Sequence, residues 1–224
     1  MENALIDGNH NASLLAEDAD GCETARLRCR GRALVIVGGP LVLALQKVND
    51  KYSWGDGFAY LLMPIPNPAD LDGDDSLDYE EKTGITNTTE AKQIDKVFVF
   101  ADLQHYYVLP PKGGLVRTVV RTGIARTGGT GDVYLTKMTF SLGYVDGAGS
   151  FTSGSTADAT PNFHTDKTDY QLCSGQAWLN WDFDIPGGRT FALRVQLYGK
   201  VGSGVTGKMK LCCGRDTYDS FLEF

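Results

Sequence analysis

The sequence predicts an all-β chain: an antiparallel β-sandwich or jelly roll of about ten strands, preceded by an extended N-terminal arm. Three observations carry that expectation. Of 224 residues, 27 are Gly and 8 are Pro, so about one position in six favours a turn or break over a continuing helix. Apolar residues recur in runs of strand length, rich in β-branched and aromatic side chains. Two long segments alternate with period two, as half-buried antiparallel strands do. An up-and-down barrel is the alternative closure, and the absence of a fixed-period repeat disfavours a propeller or solenoid.

Residues 1–32 form the arm. They are polar and acidic at first, with turn signals at Asp7-Gly8-Asn9 and Asp18 to Gly21, and sustain no helical period. At its end Arg26, Arg28, Arg30 and Arg32 recur at every second position. A single extended strand would place all four on one face, opposite Leu27 and Cys29, as a docking stripe for an acidic protein surface or a phosphate backbone. A plain solvated strand face is the competing reading.

Residues 33–224 form the β domain, with an acidic loop at 66–92. Its strands are expected at Ala33 to Val37, Leu41 to Val48, Phe58 to Ile65, Lys96 to Ala101, His105 to Leu109 and Leu115 to Ile124. The series continues with Val133 to Val145, Ala177 to Ile185, Thr190 to Val201, Lys208 to Cys213 and Ser220 to Phe224. Turns fall at Pro110 to Gly114, Thr127 to Asp132 and Pro186-Gly187-Gly188, and a Gly/Ser/Thr/Asp-rich loop is expected from Asp146 to Asp169. Because Trp178 and Trp181 stand three apart on one strand, one faces the core and the other faces out.

Composition excludes several classes of function. The longest purely apolar run, Leu41 to Leu45, is far short of the ~20 residues a membrane helix needs. The opening, Met1 to Gly8, has neither the basic nor the apolar region of a secretory signal, so synthesis and folding in a host cytoplasm are expected. Net charge is −7, from 21 basic and 28 acidic residues, without the basic excess of a general nucleic-acid binder. The run Asp70 to Glu81 holds seven acids and no base, leaving 21 of each sign elsewhere.

Five cysteines without a C-x-x-C pair, beside three histidines, do not make a zinc module. They read as small buried hydrophobes, although Cys22 and Cys29 could pair in an oxidising medium.

The acidic run carries the most specific motif. Numbered as a 12-residue loop, it offers Asp70, Asp72, Asp74, Asp78 and Glu81 as oxygen ligands at positions 1, 3, 5, 9 and 12, with the Ser76 carbonyl at position 7. It resembles an EF-hand-like calcium loop, because a hard cation needs six to eight converging oxygens. Position 6 is Asp75 instead of Gly, and Pro64, Pro66 and Pro68 lead in, as in helix-free calcium loops. Calcium is the one cofactor expected; an acidic surface loop explains the charge without it.

Gly202-Ser203-Gly204-Val205-Thr206-Gly207-Lys208 satisfies G-x-G-x-x-G and nearly a P-loop. Met209 replaces the Ser or Thr that would hold Mg²⁺, and a strand follows where a helix is needed. A β-hairpin is expected, with no nucleotide. Nucleophile signatures are missing, so no enzyme is expected, His105, His164, Asp166 and Asp169 being the loose set from which catalysis would come. Trp54, Tyr106, Tyr107 and Trp178 keep a carbohydrate-binding module as the alternative function.

The words Asn3-Ala4-Leu5-Ile6-Asp7-Gly8-Asn9, Leu14-Leu15-Ala16 and Asp20-Gly21, followed by the basic strand and Ala33 to Val37, resemble the opening of tailed-phage virion structural proteins. The run Ala192 to Phe224 is similar to the ending of jelly-roll decoration, fibre or capsid-associated proteins of such phages. The resemblance covers about a third of the chain. It implies a structural component of the virion that assembles with itself and with other virion proteins.

If calcium holds the Asp70–Glu81 loop, EDTA lowers the melting temperature and added Ca²⁺ restores it; a thermal scan insensitive to both leaves only the surface-loop reading.

Overall fold

The computed structural model describes residues 5–6, 11–15, 24–29, 32–37, 41–49, 58–64, 76–77, 79–100, 109–213 and 220–224, with side chains in 41–47, 60–63, 79–100, 109–213 and 220–224. The strands in chain order are β1 (Leu5–Ile6), β2 (Asn11–Leu15), β3 (Thr24–Cys29), β4 (Arg32–Val37), β5 (Val42–Asn49), β6 (Phe58–Pro64), β7 (Ser76–Leu77), β8 (Tyr79–Ile85) and β9 (Ala91–Phe100). They continue as β10 (Gly114–Gly128), β11 (Val133–Val145), β12 (Phe151–Ala159), β13 (Phe163–Thr165), β14 (Gln171–Trp181), β15 (Thr190–Val201), β16 (Thr206–Cys212) and β17 (Phe221–Glu223). No helix occurs among the described residues.

The strands fall into two sheets. β1 to β4 form an antiparallel meander of their own. The other thirteen form one sheet along the path β12-β11-β15-β9-β6-β5-β17-β10-β16-β8, with β13 on β11, β14 on β10 and β7 on β5. That sheet folds back on itself, so β12-β11-β15-β9 lies over β14-β10-β16 as a sandwich.

The facing sides supply the core: Phe98, Phe140, Leu193, Val195 and Leu197 from one layer, and Val120, Ile124, Leu179, Met209 and Leu211 from the other, all buried. A Cβ on Gly175 of β14 would lie 2.4 Å from Met138 Sδ of β11. A side chain there would displace the end of Met138 from its packed position. At one end Trp181 sits edge-on to Phe183, Phe191 and Phe224, with ring centroids 5.1, 5.2 and 5.7 Å away. Its indole N–H donates to the Pro110 carbonyl at 3.0 Å, satisfying the one polar atom it buries.

The all-β expectation holds, with five differences in detail. The segment read as an acidic loop at 66–92 contains β7, β8 and the start of β9. The segment read as a loop from Asp146 to Asp169 contains β12 and β13. Its Thr, Ser and Gly residues hide the strand from hydrophobic pattern reading, because β12 pairs only with β11 and exposes much of its surface. The sheet is also mixed, since β6 and β9 run parallel through Leu61↔Val99 and Leu62↔Phe100. Between them the chain passes through β7 and β8, the latter at the far end of the path, and a crossover of that kind returns a strand in its original direction.

The remaining two differences concern residues near the arm. β4, counted above with the β domain, pairs with β3 inside the small sheet. That pairing also sets Arg32 on a different strand from Arg26 and Arg28. β3 ends at Cys29, and Cys29↔Arg32 is a direct cross-strand pair, so Arg32 shares the face of Cys29 while Arg26 and Arg28 share the opposite one. The ladder that aligns Leu27 with Leu34 and Ala25 with Ile36 dictates this split. Arg30 lies outside the described residues.

The predicted hairpin at Gly202 is present: Val205 N–H donates to the Gly202 carbonyl at 3.1 Å between β15 and β16. Trp181 is buried at 4% exposure and Trp178 stands out at 58%, the division expected of that pair. Trp181→Ala should therefore cost about 3–5 kcal/mol in urea unfolding, and Trp178→Ala about 0.5 kcal/mol or less.

Candidate functional site

The strand that builds the core also builds the most distinctive surface. In β14 the inward positions are Cys173, Gly175, Ala177, Leu179 and Trp181, and the outward ones are Leu172, Ser174, Gln176, Trp178 and Asn180. Pairing with β10 sets Trp178 beside Arg117, Asn180 beside Leu115, Gln176 beside Val119 and Leu172 beside Gly123. These outward residues extend about 26 Å along β10, at roughly 3.3 Å per residue. Arg117 donates to Gln176 Oε1 at 3.2 Å and sits 3.5 Å from the Glu223 carboxylate of β17, which orients it beside the indole.

At the far end of this face the missing side chain of Gly123 makes a seat. A Cβ there would meet Leu172 Cδ2 at 2.9 Å, Lys210 Cε at 3.1 Å and Tyr170 Cδ1 at 3.2 Å. The Lys208 and Lys210 ammonium groups lie 4.4 and 4.6 Å from the centre of the Tyr170 ring, and Lys210 also reaches the Tyr79 ring at 5.1 Å. The Tyr170 hydroxyl donates to Glu81 Oε1. Burial, reinforced by that carboxylate, raises the phenol pKa well above its ordinary value.

Tyr79, Leu115, Leu172 and Trp178 are the exposed large hydrophobic residues among those described, at 42, 58, 43 and 58% exposure. All four lie on this one outer face. Such a concentration marks a contact surface, whereas singly scattered apolar residues do not.

The outer face of the other layer is built differently. Arg194 donates to both oxygens of Asp95 at 2.7 and 2.6 Å, Gln196 donates at 3.0 Å, and Lys92 adds a further bond. Burial alone would raise the Asp95 carboxyl, but these donors outweigh it and hold it well below the carboxylate range. Tyr198 carries Lys137 over its ring, and Ser141 bonds Thr156. Lys200 likewise lies over the Tyr134 ring, 5.5 Å from its centre, so this face too carries cations on aromatic rings.

A third cluster lies between the layers. Glu80 is held by Lys47 at 2.8 Å, Lys96 at 3.1 Å and the Tyr60 hydroxyl at 2.8 Å. Burial opposes ionisation there too, and the three partners bring the carboxyl below its ordinary value. The arrangement reads as a compensated ion cluster near the sandwich margin.

Of the residues singled out in the sequence, Glu81 lies in β8 and faces Tyr170, and Ser76 lies in β7. Asp70, Asp72, Asp74 and Asp78 are outside the described residues, as are Trp54, His105, Tyr106, Tyr107 and Cys22. Among the described residues no three His, Cys, Asp or Glu side chains are grouped to hold a metal. His164 pairs with Asp132 at 3.1 Å, while Asp166 pairs with Lys167. Sequence reasoning singled out Trp178 but missed Tyr170, Leu172, Lys208 and Lys210 as a surface. The available signal was the outward alternation of Lys208 and Lys210 around buried Met209.

No family model matches the chain. No curated protein matches it either. Among solved structures, one of infectious bursal disease virus, Gx strain, aligns over 96% of this chain and 74% of its own at 8% identity, with a TM-score of 0.22. A mutant VP2 protein of infectious bursal disease virus, in derived T=1 particles, aligns over 99% and 71% at 9% identity, with a TM-score of 0.23. At these TM-scores the likeness carries no argument about the fold or its role.

The Asp95 geometry has a pH signature. A carboxyl held low in the folded state stabilises above its unfolded pKa of about 4, and that contribution is lost as pH falls below it. Stability measured from pH 6 to pH 3 should fall more steeply for the native chain than for Asp95→Asn; equal slopes would show that the Arg194 pair contributes nothing.

Proposed function

We propose that this chain is a structural component of a viral particle, of the tailed-phage kind, whose β domain assembles with copies of itself and with other virion proteins. The observation that carries the reading is the gathering of Tyr79, Leu115, Leu172 and Trp178 on one outer face, while the opposite face carries no exposed large hydrophobic residue among those described. The resemblance of Asn3 to Gly21 and of Ala192 to Phe224 to phage virion proteins supports the particle setting and the virion as its location.

Four such side chains are a modest driving force. Burying them contributes on the order of 25 cal/mol per Å² of apolar surface, whereas association of two bodies costs about 4–15 kcal/mol of lost freedom. A single contact of this kind is weak by itself. Repetition around a closed symmetric shell multiplies it, which is the economy of particle-building proteins and needs no turnover.

A second reading has its own observation. An indole 58% exposed, with Gln176, Asn180 and Arg117 around it, also suits a sugar ring stacked on Trp178 with its hydroxyls bonded at the rim. Size-exclusion chromatography with light scattering separates the two. Concentration-dependent oligomers that revert to monomer in Trp178→Glu/Leu115→Glu, with an unchanged melting temperature, are expected for assembly. A strict monomer whose Trp178 fluorescence responds to a glycan would replace it.

A further inference from the structure

β8 ends the path of the large sheet and, among the described residues, pairs with β16 on one side only. Of its seven residues only Ile85 is buried and five are exposed, so apolar burial fastens the strand chiefly at its C-terminal end. The ladder is interrupted at that end. Its register shifts between Gly207, opposite Ile85, and Met209, opposite Lys82, and Gly84 lies between them with φ +68°. Just beyond the strand the chain is moored to β15: the Asn87 carbonyl accepts from Val201 N–H at 2.9 Å, and its side-chain amide donates to the Gly199 carbonyl at 3.0 Å. Residues 79–83 thus have a fixed pivot behind them and little apolar burial of their own.

Charge holds them in place. The Glu80 carboxylate meets three other strands: Lys47 of β5 at 2.8 Å, the Tyr60 hydroxyl of β6 at 2.8 Å and Lys96 of β9 at 3.1 Å. Lys47 Nζ also donates to the Tyr79 carbonyl at 3.4 Å. Cys213, at the end of β16, adds a thiol that burial pushes up to about 12, so it stays neutral. On the outer side the Tyr170 hydroxyl donates to Glu81.

We infer that residues 79–83 form an acid-released strap, which the Glu80 carboxylate holds shut across the sandwich margin and which its protonation frees while the rest of the sandwich stays folded. Ionised, the carboxylate answers two ammonium groups that are largely out of water. Protonated, it leaves them without that anion, and the group of strands must relax. β5, β6 and β9 are laddered on both sides, whereas β8 is laddered on one, so β8 is the strand that yields and admits water. Release uncovers the β16 edge along Lys210, Leu211 and Cys212 and lifts Tyr79 off the outer face. Burial opposes ionisation of Glu80, but its partners outweigh burial and hold the carboxyl below its ordinary value. The closed strap is therefore stabilised above the open-state pKa of about 4.3, and that contribution is lost as pH falls below it.

Hydrogen exchange on the full chain, corrected for the intrinsic exchange rate at each pH, tests this. At pH 7, Glu80→Gln, which removes the charge and keeps the shape, should lower the protection of the hydrogen-bonded amides in 79–83 by about tenfold or more. Amides of β10, β11 and β15 should keep their native protection, and near-ultraviolet circular dichroism should be unchanged. The native chain should lose the same protection in 79–83 between about pH 5 and pH 3, a step that Glu80→Gln should lack. Native protection at 79–83 in Glu80→Gln would overturn the strap. So would a loss shared equally by β10, β11 and β15, in the variant or in the native chain at acid pH, because the margin would then open only with the whole fold.

Discussion

The register between β10 and β14 is the constraint on which the rest of the molecule depends. In a strand the side chains alternate faces, so a slip by one residue would carry Trp181 and Leu179 to solvent and Trp178 and Gln176 into the core. Two features forbid the slip. Gly175 stands opposite Met138, whose end a side chain there would displace, and Trp181 must reach Phe191, Phe224 and the Pro110 carbonyl together. What looks like core packing therefore also determines which residues stand on the surface.

The two outer faces share their polar chemistry and differ in apolar exposure. Over β9 and β15, Asp95 gathers Arg194, Lys92 and Gln196, one carboxylate shared by two cations, and Lys137 and Lys200 lie over the rings of Tyr198 and Tyr134. Over β10 and β16, Lys208 and Lys210 likewise rest on Tyr170. What separates the faces among the described residues is that Tyr79, Leu115, Leu172 and Trp178 all stand exposed on the second. Apolar area of that kind gains from leaving water on contact.

Much of the fold was legible in the sequence because period two is a strong signal where one side of a strand is buried. The strands from Leu115, Val133 and Thr190 were expected within a few residues of β10, β11 and β15, and the reversal at Gly202 was read as a hairpin despite its nucleotide-loop spelling. β12 was not legible, because Thr152 to Ala159 owes its strand state to the ladder with β11 and hardly at all to burial of its own side chains. The strand break between Arg28 and Arg32 was hidden for a related reason. Spacing predicts a shared face only within one strand, and nothing local to Arg26, Arg28 and Arg32 announces that a second strand begins between them. The contact surface was half visible: the paired tryptophans implied that one must face out, but the seat at Gly123 exists only once β10, β14 and β16 are side by side.

The edges explain why association should use a face. An open sheet invites strand addition along any unpaired edge, and proteins blunt such edges with charge or cover. β8, at one end of the path, presents Glu80, Glu81 and Lys82 in succession, with Glu80 committed to Lys47 and Lys96. β12, at the other end, is brought against β14, where the Asn180 amide donates to Ser155 Oγ at 3.0 Å. That bond ties the two layers where a barrel would otherwise need a ladder, and it occupies a backbone donor an incoming strand would use. With one edge charged and the other tied, the broad outer surface of β10 and β14 is the part of this sandwich best able to meet a neighbour.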